Sequence, residues 1–75
     1  MDDFNKEKFI NFGKKIKSLR EERNMSIEEL SLLTGIRKPY LKKIEAGIAY
    51  RLTCTHVFIF AEAFNIKPKE VVTGI

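Results

Sequence analysis

Arg37, Lys38, Lys42, Lys43 and Arg51 fall in a fifteen-residue stretch whose only acid is Glu45. Lys14, Lys15 and Lys17 add positive charge from earlier in the chain. Such clustering points to an anionic partner, although a solvated helix face has the same composition. Side chains able to carry covalent or acid–base chemistry are few. His56 is the only histidine and Cys54 the only cysteine. Any Ser/His/Asp or Cys/His arrangement would have to centre on His56, and two such ligands are too few for a structural zinc site. There is no Gly-rich phosphate loop. Glu28-Glu29 suits the positive dipole end of a helix, and Asp2-Asp3 reads as a flexible terminus. The expectation is a chain with no catalytic residues, no metal and no cofactor.

The elements that must position the basic residues are legible from periodicity. Phe9, Phe12, Ile16 and Leu19 form one face of a helix over roughly 6–23, with lysines opposite. Asn24 suits its end, because Asn tolerates the left-handed conformation. Ser26 and Glu29 read as a capping box that opens a second helix reaching about Leu33, with Gly35 just beyond. A third helix begins near Arg37, carries Pro39 in its first turn, buries Leu41 and Ile44 and closes at Gly47. After a loop over 48–53, a fourth helix runs roughly from Thr55 to Asn65, capped by Thr53 or Thr55. Pro68 opens a last short helix ending at Val72 or Thr73. No segment alternates as a strand would, so the fold class is all-α.

Composition bounds the rest. Seventy-five residues allow one small domain, expected to span 1–75, with a modest core. The net charge is +4, and the excess is concentrated in residues 37–51. No apolar run approaches a membrane span, and the acidic N-terminus lacks the apolar core of a signal peptide. A lone cysteine suits a reducing cytoplasm.

Residues 26–46 hold two short helices joined by Thr34-Gly35-Ile36, a length and composition that suit a helix-turn-helix. Leu30 and Ile36 would meet Leu41 and Ile44 between the helices. Arg37, Lys38, Tyr40, Lys42 and Lys43 are then left on or near an outward face over about 37–46. A basic helix of that length fits the major groove of B-form DNA. A tight pair of helices with a basic outer member also occurs in proteins that never touch nucleic acid, so spacing and charge leave both readings open.

Three runs, read in order, carry a resemblance. They are Phe12-Gly13-Lys14-Lys15-Ile16-Lys17-Ser18-Leu19-Arg20-Glu21-Glu22-Arg23, then Met25-Ser26-Ile27-Glu28-Glu29-Leu30 through Gly35-Ile36, and Tyr40-Leu41-Lys42-Lys43-Ile44-Glu45-Ala46-Gly47. With Phe60-Ala61-Glu62-Ala63-Phe64-Asn65-Ile66 as a fourth helix, the chain resembles the Xre family of lambda-repressor/Cro-like helix-turn-helix regulators over about residues 9–72. The resemblance implies a compact five-helix domain that binds double-stranded DNA in the cytoplasm, at the nucleoid. It further implies base-facing roles for Lys38, Pro39, Lys42 and Lys43. Ser26, Ile27, Arg37, Tyr40, Tyr50 and Arg51 are then expected at phosphates or helix starts, and Arg20 and Glu45 are expected to form a partly buried ion pair. Several features depart from the family pattern, among them Pro39, which has no donor for a base, and a loop before the fourth helix about one residue longer than is common. Ile27 stands where Gln is common, Ser31 where a small apolar residue is usual, and Arg37 where Ser or Thr caps the third helix.

The apolar run Val57-Phe58-Ile59-Phe60-Ala61 is a separate signal. Val57, Phe60, Ala61 and Phe64 fall on one helix face, with Phe58 and Ile59 partly off it. One reading is a wide core stripe covered by the fifth helix and Phe4. The other is a dimer surface formed by Phe58, Ile59, Val71, Val72 and Ile75. The leading functional expectation is a sequence-specific, repressor-like regulator acting as a homodimer. The alternative is a protein-interaction module or antitoxin that uses the fourth helix against a partner such as a toxin.

Overall fold

Amphipathic stripes set the architecture, and the computed structural model describes residues 2–49 and 53–72, with side chains from residue 7 onward. Among these, five helices and no strand are present. They are α1 (Asp2–Glu22), α2 (Ile27–Thr34), α3 (Lys38–Glu45), α4 (Cys54–Phe64) and α5 (Pro68–Val72). Helix α1 begins four residues earlier than the apolar spacing indicates, so Asp2 and Asp3 belong to a helix rather than a loose end. Helix α4 begins one residue before Thr55, and Thr53 is its N-cap. The His56 ring takes the place usual for Glu in such a cap, with Nδ1 accepting from the Thr53 backbone N–H at 3.2 Å. That bond requires the tautomer with the proton on Nε2 when the ring is neutral.

The helix ends follow local chemistry. Asn24 and Asn65 adopt left-handed φ values of 52° and 57° after α1 and α4, as Asn can at modest cost. Buried side chains from all five helices meet in one cluster: Phe12, Ile16 and Leu19 from α1, Leu30 from α2, Leu41 and Ile44 from α3, Phe60, Ala61 and Phe64 from α4, and Val71 from α5. Phe60 is fully enclosed, edge-on to Phe12 at 5.9 Å and stacked on Phe64 at 6.2 Å between ring centres. The Arg23 guanidinium covers the outer face of Phe64 at 5.2 Å. No helix among the described residues is long and apolar enough to cross a membrane.

Two contacts lock α1 against α3. Gly13 lies beneath the last turn of α3, where an added Cβ would overlap the carbonyl oxygens of Ile44 and Glu45. Only hydrogen fits there, so the helix-propensity cost of a mid-helix Gly, about 1 kcal/mol relative to Ala, is accepted for close approach. Seven residues on, the Arg20 guanidinium makes a two-pronged contact with Glu45, with Nε donating to Oε2 at 2.8 Å and Nη2 to Oε1 at 3.1 Å. Its remaining nitrogen, Nη1, donates to the Met25 carbonyl at 2.8 Å, and the Met25 N–H donates back to the Arg20 carbonyl at 3.1 Å. The Glu45 hydrogen bond raises the Arg20 pKa against the opposing effect of burial, so the guanidinium stays charged.

The side chains of the pair are mostly buried, with 15% and 10% of their surfaces exposed. Removing one member strands the other charge, at a cost of about 3–5 kcal/mol. A chain this small has a total stability of about 4–11 kcal/mol. Glu45→Ala should therefore lower the melting temperature by more than about 10 °C. The check is a thermal melt followed by circular dichroism, and a shift of only a degree or two would mean the pair carries little weight.

Candidate nucleic-acid interface

The local sequence sets the angle between α2 and α3. Ser26 Oγ accepts from the Glu29 backbone N–H at 3.1 Å, and the Glu29 carboxylate accepts from the Ser26 N–H at 2.9 Å. This reciprocal cap fixes where α2 begins. At its other end, Gly35 takes a φ of 75°, a left-handed conformation that favours Gly, and its N–H donates to the Ser31 carbonyl. Ser31 Oγ then donates to the Ile36 carbonyl at 2.6 Å. Thr34 Oγ1 donates to the Leu30 carbonyl at 2.7 Å and accepts from the Ile36 N–H at 3.2 Å. These two hydroxyls satisfy both backbone groups of Ile36, whose side chain packs against the core. Ser31, where the family pattern has a small apolar residue, is thereby accommodated through its hydroxyl.

Helix α3 starts without a side-chain cap, since Arg37 in the N-cap position makes no such bond. Pro39 in the first turn has no N–H to leave unsatisfied. Leu41 and Ile44 are fully buried, so the helix has a definite inner side. Arg37, Lys38, Pro39, Lys42 and Lys43 are all exposed, an arc in which four of the five residues are cationic. Lys42 and Lys43 lie in the last turn, where the helix dipole favours cations.

Tyr40 departs from that arc. It is half-buried, packs against the core, and meets the His56 ring of α4 at 6.0 Å. Its ring therefore braces α3 against α4 instead of standing out with the lysines. Ile27 is also half-buried and turned towards the core, so the backbone N–H groups at the start of α2 are what that position offers to an anion. Ser26 is exposed at the same helix start. Tyr50 and Arg51 lie outside the described residues.

One contact at this surface has no signal in the sequence. Lys38 Nζ reaches Glu28 Oε2 of α2 at 3.4 Å, across the turn. The two residues are ten apart, a separation that no helical period brings together. The Glu28 carboxyl is held below the ordinary carboxylate range, first by its own backbone N–H at the helix start, then by Lys38 and, at longer range, Lys42. It therefore remains ionised through neutral pH and is neutralised only as pH falls through that lowered value.

The dimer candidates separate into different environments. Val71 is fully buried among α1, α4 and α5 core residues and has no surface to offer, which removes it from the set. In a five-residue helix, burial of Val71 leaves its neighbour Val72 facing outward, and Val72 is exposed. Phe58 is 60% exposed and Ile59 half-buried. Ile75 lies outside the described residues. A mainly apolar cleft lined by Phe9, Phe12, Cys54, Val57 and Val72, with Lys8 and Thr53 also in its wall, includes Val72 of this set. Leu32, 86% exposed, and Leu33, 59% exposed, form a further apolar pair on the outer side of α2. Sequence reading placed them only as the end of a helix.

Comparisons with known proteins agree with this geometry. Residues 16–71 match the helix-turn-helix family model. Among solved structures, the restriction-modification controller protein C.AhdI from Aeromonas hydrophila is similar, with a TM-score of 0.77 and 27% sequence identity. The similarity covers 84% of this chain and 94% of that one. No curated protein matches the sequence.

Proposed function

The chain belongs to the helix-turn-helix family, and from that membership we propose that it is a sequence-specific, double-stranded DNA-binding transcriptional regulator of the repressor-like kind, with no enzymatic activity. The observation that carries this reading is the exposed arc of Arg37, Lys38, Pro39, Lys42 and Lys43 on a helix held rigidly from behind. Lys38, Lys42 and Lys43 donate to base edges, and Pro39 offers an apolar contact to a thymine methyl. Ser26 and the α2 start, with Arg37, Tyr50 and Arg51, approach phosphates and fix register. Tyr40, braced against His56, contributes through its place at the edge of this surface. The likeness to C.AhdI supports a controller of a restriction–modification operon as one variant of this role. The cytoplasm, at the nucleoid, is the place of action.

A single short recognition helix reads few base pairs, so useful specificity requires two copies on a palindrome, with half-sites about one helical turn apart. Phe58, with Ile59, Val72 and Ile75, supplies the self-complementary surface in this proposal. The same exposed aromatic supports a second reading, in which the chain is an interaction module or antitoxin that grips a protein partner such as a toxin, with DNA binding secondary.

Binding to random and selected duplexes across a salt series separates these readings. If about four to six phosphates are neutralised per domain, log affinity should fall against log salt with a slope of roughly −4 to −5. Lys43→Ala should cost about 1–3 kcal/mol and relax preference at one or two positions, whereas Arg51→Ala should weaken all sequences alike. Absence of duplex binding at low salt would leave the interaction-module reading. For the dimer, Phe58→Glu should shift sedimentation towards monomer and weaken operator binding together. A wild-type chain that stays monomeric on DNA would end that part of the proposal.

A further inference from the structure

Glu28 and Glu29 are adjacent, yet they have different tasks. Glu29 is consumed by the α2 cap, where its carboxylate accepts from the Ser26 N–H. Glu28 instead faces across the turn to Lys38 Nζ at 3.4 Å and also feels Lys42. One carboxylate therefore contacts a lysine of the surface proposed to meet DNA, with Lys42 acting on it only at longer range. Both members of the Glu28–Lys38 pair are exposed, so their contact adds little to stability. Its consequence is for where Lys38 points and what it meets.

A lysine is a point charge on a flexible four-carbon stem, with no inherent preference for a base edge over a phosphate. Beside a duplex, an untethered ammonium is drawn to the nearest phosphate, a contact that every sequence offers equally. A carboxylate next to it changes that balance in two ways. It gives the ammonium an anchor in the first turn of α2, and it repels an anionic phosphate more strongly than the neutral acceptors guanine O6 and N7. The penalty falls on non-specific contacts and spares the specific one. That difference is what discrimination between sequences consists of.

We propose that Glu28 is a positioning residue for Lys38, holding its ammonium for base edges and withholding it from phosphate, so that selectivity rises as overall affinity falls. This inference rests on the DNA-regulator reading.

The test is Glu28→Gln, alone and combined with Lys38→Ala, measured by fluorescence anisotropy on arbitrary and selected duplexes over a range of salt. Glu28→Gln keeps the side-chain size and removes the charge. With Lys38 present, it should tighten binding to arbitrary duplex by roughly five-fold and steepen the salt slope by about 0.9, the increment for one further phosphate contact. Selectivity at the base pair read by Lys38 should fall at least about five-fold. In the Lys38→Ala background, Glu28→Gln should leave selectivity unchanged. Selectivity that survives Glu28→Gln, or that falls equally in both backgrounds, overturns the positioning role while leaving DNA binding intact. A wild-type chain that binds no duplex overturns the regulator reading, and this proposal falls with it.

Discussion

The Arg20 guanidinium is the interaction on which the rest of the structure depends. It touches the Glu45 carboxylate at the end of α3 and the Met25 carbonyl just before α2, so one planar group ties together three helices. Arginine suits this position because its fork matches a carboxylate in two bonds and leaves a nitrogen over for a carbonyl. Gly13 is the steric counterpart, letting the last turn of α3 lie directly on the α1 backbone. Between them these contacts fix the distance and rotation of α3, with Leu41 and Ile44 directed inward and the lysines outward.

The recognition surface is accordingly built from behind. Its own helix is short, begins without a side-chain cap and contains a proline, none of which would hold it as an isolated segment. Stability is imported from α1 through Arg20, from α4 through the Tyr40–His56 ring contact, and from the turn through the Ser31 and Thr34 hydroxyls. This arrangement leaves the exposed side chains of α3 free of structural duty, so they can vary with the partner while the scaffold does not.

Features that depend on residues near one another in sequence were legible. The Ser26–Glu29 box, the left-handed Asn24 and Gly35, and the apolar stripes of α1 and α3 follow from spacings of one turn, where chemistry and geometry are both local. The start of α1 leaves no periodic signal, because its apolar stripe begins only at Phe9 and the residues before it carry no apolar period. Val71 and Val72 could not be told apart, since a five-residue helix is too short to define a face. Thr53 and Thr55 are equivalent as caps by residue type, and it is the His56 ring, accepting from the Thr53 N–H, that distinguishes them. At the candidate site, the basic arc follows from the placement of Leu41 and Ile44. The inward turn of Ile27 and Tyr40 and the Glu28–Lys38 contact depend on how separate helices cross, which no local pattern encodes.

The central claim is that the surface formed by the start of α2 and the outer side of α3 meets duplex DNA. Amide chemical shifts in a titration with a short duplex at low salt test it residue by residue. The account predicts that the largest changes map to Ser26, Ile27 and Glu28 and to Arg37, Lys38 and Tyr40 through Lys43, while Phe58 and its neighbours on α4 respond weakly or only through dimer formation. Changes centred on α4 and α5, with the α3 amides unmoved, would contradict it.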